Sequence, residues 1–313
     1  MSQAFIFPGQ GSQIVGMGKD LSTNFASARE VFEEVDDALG QRLSALMFEG
    51  PIEELTLTEN AQPALMAASL AVIRVLEQEA GYKIESRVAF VAGHSLGEYS
   101  ALAAAKAFSI STAAVLLRKR GQAMQKAVPV GQGAMAALLG LDLNAALAVA
   151  AEAAGDQVCD VANDNAPGQI VVSGDKAAVE RAIEIAKGKG AKRSILLPVS
   201  APFHCRLMKP AAEAMAEALS QIVIAPLSVP LVAHVTAAVV ETPSEVRRLL
   251  TEQVTGRVRW RESILTMKAE GVDTLVECGS GRVLSGLIKR IDADLAAASL
   301  QGPGDIDTFI KGT

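Results

Sequence analysis

Short apolar runs of strand length alternate along the chain with longer stretches in which apolar positions recur every three or four residues, a pattern that predicts an α/β fold. Residues 4–7 (Ala-Phe-Ile-Phe) predict a first strand that runs into the turn Pro8-Gly9-Gln10-Gly11-Ser12-Gln13. Residues 24–39 predict a helix with Phe25, Phe32, Val35 and Leu39 on one stripe and Gly40 as its stop. A helix over 61–80, closed by Gly81, leads into a strand over 88–92, and an alanine- and leucine-rich helix follows over 98–107. On the next helix, 111–127, Ala113, Leu117, Arg120 and Met124 share a stripe, whereas Arg118 and Lys119 point elsewhere. A guanidinium on an apolar stripe either snorkels at its margin or needs an anion.

The stretch 129–133 (Pro-Val-Gly-Gln-Gly) marks a change in composition. Beyond it the pattern reads strand (134–139), helix (144–154), paired strands around 163–168, helix (176–187) and strand (192–197). That β-α-β-β-α-β order predicts a ferredoxin-like unit over 128–197, inserted between the two parts (1–127 and 198–313) of a larger, mostly parallel domain. The larger domain resumes with a loop at 200–205 and continues through a helix (209–221), a strand (230–235), helices (244–253 and 261–269), a strand (273–277) and a helix (283–290). The tail from Gln301 carries no clear signal.

The chain is organised around Gly93-His94-Ser95-Leu96-Gly97, placed between the strand at 88–92 and the helix at 98–107. Strand, G-x-S-x-G, helix is the context of a nucleophile elbow, in which the glycines permit a tight turn and the serine hydroxyl is exposed at a helix N-terminus. Ser95 is therefore the candidate nucleophile. A serine needs a base, and the chain has three histidines. His94, next to the nucleophile, is expected to pack beneath the turn. His234, inside the apolar run Pro-Leu-Val-Ala-His-Val, reads as a core or strand-end residue. His204, in a proline-flanked loop, is left as the favoured base. No carboxylate stands out as a third member, because spacing cannot choose among the many present.

Bulk properties narrow the function classes. Half of the 313 residues are apolar and the mean hydropathy is +0.28, compatible with a large buried core. No apolar run reaches the roughly eighteen residues of a membrane span. The N-terminal stretch lacks the basic and long apolar regions of a signal peptide. Cys159, Cys205 and Cys278 are odd in number and widely spaced, which predicts neither a disulfide framework nor a metal site and suits a cytoplasmic setting. A net charge of −6 argues against nonspecific binding to nucleic acid or anionic membranes. The glycine-rich turn at 9–13 departs from phosphate-binding loops: G-x-G-x-x-G would need glycine at Ile14, and a Walker A loop from Gly11 to Gly16 would need lysine at Met17. Such a turn can instead offer backbone amides to an oxyanion.

Several stretches together resemble the malonyl-CoA:acyl carrier protein transacylase family. They are FPGQGSQ, GHSLGEYSAL, RGQAMQ, GAMAALLGL, NAPGQIVVSG, PVSAPFHCRLM and GSGRVLSGLIKR, in the family's order and over nearly the whole length. The resemblance implies an α/β-hydrolase-like core carrying a ferredoxin-like subdomain, with the active site between them. It also implies that Ser95 takes malonyl from malonyl-CoA, that His204 is the base and that Arg120 pairs with the malonyl carboxylate. The amides of Gln10 and Leu96 would form the oxyanion hole, and the backbone carbonyl of Gln253 would orient His204, leaving its side chain little to do. Asn165 would lie near the substrate, and Phe203 would narrow the space beside its C2. The acceptor would be the phosphopantetheine thiol of acyl carrier protein, with no cofactor and no metal.

The sequence departs from the family at Gly279-Ser280-Gly281, where Gly-Pro-Gly is common, and at the more polar Asn163-Asp164-Asn165. Since the carrier protein of this family is strongly acidic, Lys187, Lys189, Lys192 and Arg193 are candidates for a docking patch; a solvated helix end is the plain alternative. An acyltransferase of a polyketide pathway, a serine esterase or thioesterase, and a noncatalytic nucleotide-binding module are the rival readings. Arg120 argues against the esterase, and the missing lysine and glycine against the nucleotide module.

Overall fold

The structure, a computed structural model, describes residues 2–312. Ten strands run in the order β1 (Gln3–Phe7), β2 (Val88–Gly93), β3 (Gly133–Leu139), β4 (Cys159–Ala166), β5 (Gln169–Asp175), β6 (Arg193–Leu196), β7 (Leu231–Ala233), β8 (Ala238–Val240), β9 (Thr274–Cys278) and β10 (Ala296–Leu300). Six form one sheet in the order β10-β9-β1-β2-β7-β8, parallel except for β8. The other four form an antiparallel sheet in the order β4-β5-β3-β6.

The continuous apolar run of β1 follows from its central place, buried on both faces as parallel strands are. Phe5 and Phe7 point into a core shared with the helices Ala26–Leu39, Thr58–Gln78 and Ile110–Ala127. Ala4 and Ile6 point the other way, into a core shared with Trp260–Ala269 and Val283–Ile291. In the small sheet, Ala134, Ala136 and Leu138 of β3 pack under the helices Leu143–Ala154 and Lys176–Gly188. Alternate residues Met135 and Ala137 join the large core instead, so that the sheet's open face looks across a cleft at the parallel sheet.

The two sheets are sewn together at β4. Val258 N–H donates to Ala162 O at 2.8 Å, Asp164 N–H donates to Val258 O at 2.9 Å, and Arg261 grips the buried Asp164 carboxylate through Nε and an Nη. The polarity of Asn163-Asp164-Asn165 thus has a structural reason: Asp164 makes the seam, and the two asparagines face the cleft.

Two expectations are corrected. The helix expected over 24–39 begins two residues later and runs Ala26–Leu39, because Phe25 adopts an extended conformation (φ −129°) and becomes its N-cap, and a separate short helix, Lys19–Asn24, precedes it. The tail from Gln301, which showed no pattern, contains the helix Pro303–Lys311; Pro303 occupies its first turn and Asp305 accepts from the amides of Gln301 and Gly302. Its apolar face, Ile306, Phe309 and Ile310, packs on the large core but spans little more than one turn, too short a period to read in the sequence. Among the described residues no helix is long and apolar enough to cross a membrane, and no group of three or more potential metal ligands occurs.

The helix that begins at Gly97 starts against the end of β1, and His94 N–H donates to Phe7 O at 3.0 Å. A Cβ at Gly97 would lie 2.2 Å from Phe7 O and 2.8 Å from Pro8 O, both backbone atoms that cannot swing aside. Gly97→Ala should therefore lower stability by about 1–3 kcal/mol, the usual cost of overpacking, as measured by urea unfolding; an unchanged midpoint would contradict this account.

Candidate active site

Ser95 sits at the tip of the turn between β2 and the helix Gly97–Ala104 with φ +55°, a left-handed conformation that a serine adopts only under constraint. The constraint is visible. A Cβ on Gly93 would lie 2.0 Å from the carbonyl carbon of Gly97, so the turn closes only with glycine. The Ser95 amide donates to Nδ1 of the wholly buried His234 at 3.2 Å, and Gly97 N–H donates to His94 O at 3.0 Å. His234 is thus a core histidine, as expected, but with the specific task of satisfying the strained nucleophile's backbone.

His204 also has a positive φ (+56°), which turns its ring out of the 200–205 loop onto the serine. Its Nε2 lies 2.8 Å from Ser95 Oγ. Its Nδ1 lies 2.9 Å from Gln253 O and 3.1 Å from Gly256 O. Two carbonyls can only accept, so Nδ1 carries the proton and Nε2 offers its lone pair to the serine hydroxyl. Burial, reinforced by the charge of Arg120, pushes the His204 pKa down to about 3, so the ring is neutral and its Nε2 lone pair is unprotonated. Gln253 is the C-cap of the helix Pro243–Glu252, whose last carbonyls have no intrahelical partner and carry the negative end of the helix dipole. A helix terminus does here what a carboxylate would otherwise do.

Arg120 is almost completely buried, and the apolar stripe on which it lies carries it inward. One Nη donates to Gln62 Oε1 at 2.9 Å. The other reaches Gln253 Oε1 at 2.6 Å and Ser95 Oγ at 3.1 Å. Tyr99 lies beneath it, with the guanidinium carbon 5.9 Å from the ring centre. Among the described residues it forms no ion pair, and burial lowers its pKa from the usual arginine value.

The side chain of Gln253 corrects the expectation that only its carbonyl matters. Its Oε1 holds Arg120, and its Nε2 donates to Glu98 Oε2 at 2.5 Å. Glu98 itself went unnoticed among the many carboxylates. It is fully buried, and burial, against hydrogen bonds from Gln253 and His234, raises its pKa to about 7. The available signal was a lone acid in the first turn of an otherwise apolar helix.

These groups line one end of a cleft of about 460 Å³ between the sheets. Gln10, Leu96, Arg120, Asn163, Asn165, Phe203 and His204 all contribute to its walls beside Ser95. Among the described residues the amides of Gln10 and Leu96 donate to no acceptor, while the Gln10 side chain reaches Thr58 Oγ1 at 3.4 Å. His94 is not beneath the turn: its ring lines the cleft, packs on the edge of Trp260 and meets Asn165 Oδ1 through Nε2 at 2.9 Å. The ring lies against Gly9, where a Cβ would come within 2.8 Å of its Nδ1, so the glycine of the first turn leaves it that place. Away from the cleft, Lys187 and Lys189 pair with Glu184 and Glu152, which ties up two of the four basic residues noted in the sequence.

Comparison with known proteins agrees with this geometry. The acyl transferase domain family matches residues 4–294. A malonyl CoA-acyl carrier protein transacylase of Bacillus subtilis is 47% identical over 309 residues, covering 98% of this chain and 96% of the relative. The crystal structure of an acyl-carrier-protein S-malonyltransferase from Bartonella henselae superposes with a TM-score of 0.97 at 55% identity, covering 100% of this chain and 99% of the other. A malonyl-transacylase solved in complex with its type II PKS acyl-carrier protein matches at 43% identity and a TM-score of 0.97, over the full length of both chains.

The neutral His204 has a consequence for stability. In the unfolded chain the ring takes up a proton below about pH 6.5, whereas the folded ring does so only near 3. The contribution of the neutral ring is therefore fully present above pH 6.5 and lost as the pH falls toward 3. Across that window the protein should lose up to about 1.4 kcal/mol per pH unit relative to His204→Ala, as read from urea unfolding at a series of pH values. Parallel curves for the two proteins would show that the folded ring titrates normally.

Proposed function

The chain belongs to the acyl transferase domain family and groups there with the malonyl CoA-acyl carrier protein transacylases, and we propose that its cleft moves a malonyl group from malonyl-CoA to acyl carrier protein by way of Ser95. His204 Nε2 takes the Oγ proton as Oγ attacks the thioester carbonyl. The amides of Gln10 and Leu96 receive the oxyanion. Collapse of the tetrahedral species breaks the C–S bond, the CoA thiol leaves with the proton from His204, and a malonyl-serine ester remains. The phosphopantetheine thiol of the carrier protein then gives its proton to His204 and attacks the ester. Ser95 leaves and recovers the proton. No cofactor enters beyond the groups that the two substrates carry.

The observation that carries the malonyl reading is Arg120. A buried guanidinium held only by neutral acceptors, with one nitrogen 3.1 Å from the nucleophile, is an uncompensated cation where an acyl chain must lie. A substrate carboxylate supplies the missing charge, and bidentate geometry makes arginine suited to it. A neutral ester would gain nothing from it, which disfavours the esterase reading. In the same proposal Phe203 narrows the acyl end of the cleft, and Asn165, held by His94, faces the substrate from the small sheet.

The finer architectural reading belongs here too: an α/β-hydrolase-like core (1–127 and 198–313) and a ferredoxin-like subdomain (128–197). The crossing order of the antiparallel sheet and its two covering helices support the second assignment. A cytoplasmic setting, without nucleic-acid or membrane partners, goes with this reading. For carrier-protein docking, Lys192 and Arg193 remain the better candidates, since Lys187 and Lys189 are paired. The structural match to the malonyl-transacylase of a type II PKS carrier protein favours a second acceptor class, a polyketide carrier protein, with the chemistry unchanged.

Intact-mass measurement after mixing with malonyl-CoA should show a malonyl adduct on the wild type and none on Ser95→Ala; an adduct on that variant would remove Ser95 as the acyl carrier. His204→Ala should form the adduct far more slowly. Loss of one member of a buried charge pair costs about 2–5 kcal/mol, so Arg120→Ala should lose malonyl transfer by roughly 30-fold to several-thousand-fold while acetyl transfer changes far less. An unchanged malonyl-to-acetyl ratio would make the arginine structural.

A further inference from the structure

One buried ionisable group takes no part in the acyl transfer steps. Glu98 is fully buried in the first turn of the helix Gly97–Ala104, every residue of which is buried. Both of its oxygens accept hydrogen bonds: Oε1 from the His234 amide at 3.1 Å, and Oε2 from Gln253 Nε2 at 2.5 Å. An amide side chain has one donating and one accepting end. With a carboxylate at Nε2, Gln253 must turn Oε1 to Arg120, where it meets the same nitrogen that reaches Ser95 Oγ. The reversed amide would set an NH2 against the guanidinium and a carbonyl against the carboxylate, two unfavourable contacts in a site closed to water.

We propose that Glu98 is a positioning residue for acyl choice: by fixing which way the Gln253 amide points, it holds Arg120 aligned beside Ser95 and so sets the preference for carboxylated acyl groups. This rests on the reading of Arg120 as the partner of the malonyl carboxylate. Glu98 is suited to the task because it hydrogen-bonds the amide that holds the guanidinium and not the guanidinium itself. The cation is steadied while remaining without a carboxylate of its own. Glutamine at position 98 is not an equivalent, since its NH2 would face either the His234 amide or Gln253 Nε2, both donors. The clash is relieved by flipping Gln253, which turns a donor onto Arg120.

The test compares kcat/KM for acylation by malonyl-CoA and acetyl-CoA in the wild type, Glu98→Gln, Gln253→Met, the double variant and Arg120→Ala, with folding checked by circular dichroism. Gln253→Met keeps the backbone carbonyl and the side-chain length and removes only the amide. A general structural defect lowers both substrates together and leaves their ratio alone. Loss of a charge-assisted alignment should lower the malonyl-to-acetyl ratio by roughly tenfold or more in each single variant. Because Glu98 acts through Gln253, the double variant should show a ratio no lower than the lower single one. A wild-type ratio in either folded single variant overturns the proposal, as does a double variant whose loss is the product of the two. If Glu98→Gln does not fold, the ratio of Gln253→Met decides alone. A ratio that falls in Arg120→Ala but in neither of the others removes the relay and leaves the Arg120 reading standing; one unchanged in Arg120→Ala removes both.

Discussion

Everything in the cleft depends on the short segment from Gln253 to Arg261 being held in one place. It begins at a helix C-terminus, where the carbonyls of Gln253 and Gly256 accept a hydrogen bond from His204 Nδ1–H. Two residues after Gly256, Val258 joins β4 of the small sheet, and Trp260 packs against His94. Arg259 N–H donates to His234 O, the residue whose ring holds the Ser95 amide. Arg261 closes the run on Asp164. One segment therefore fixes the base and the small sheet, and through His234 it bears on the nucleophile's backbone. The placement of the small sheet over the cleft and the tautomer of His204 are thus mechanically linked.

The site handles buried charge in an unusual way for a serine enzyme. The base is oriented by carbonyls and not by an acid, so no full negative charge lies against the imidazole, and burial beside Arg120 keeps the ring neutral. The acid that is present, Glu98, lies behind Gln253, and the cation in front of it meets only neutral acceptors. The cleft consequently holds a positive potential at the point where a substrate carboxylate would rest, and a hydrogen-bond acceptor for the serine proton a few ångströms away. Of the four non-glycine residues with positive φ, Ser95 and His204 are the two whose strained backbone aims a reacting atom, and hydrogen bonds hold each of them there, whereas Lys106 and Ala237 take no part in the site.

How much of this could be read in the chain differs by kind of residue. Gly93 and Gly97 were legible because a tight turn against backbone demands glycine whatever else is nearby. Arg120 was legible as an anomaly, a charge on an apolar stripe. His94 was misplaced, because adjacency to Ser95 says that its side chain diverges from the serine and not which neighbour it will meet; Asn165, 71 residues away, settles that. Glu98 and the Gln253 side chain left almost no local trace, since an amide or an acid is ordinary on any helix until its burial is known. The last helix was missed because its apolar face, Ile306, Phe309 and Ile310, covers little more than one turn and gives too short a period to detect.

By itself the sequence determined the alternation of strands and helices, the elbow around Ser95 and the restricted choice of a base, because these follow from local periodicity, turn sterics and the scarcity of histidine. Only the tertiary structure decided which carbonyls fix the tautomer of His204, which amide faces Arg120, and which acid lies behind it. Those are contacts between groups 49, 133 and 155 residues apart. Their energies come from burial and from hydrogen-bond direction, which exist only once distant segments have excluded water from the same small volume.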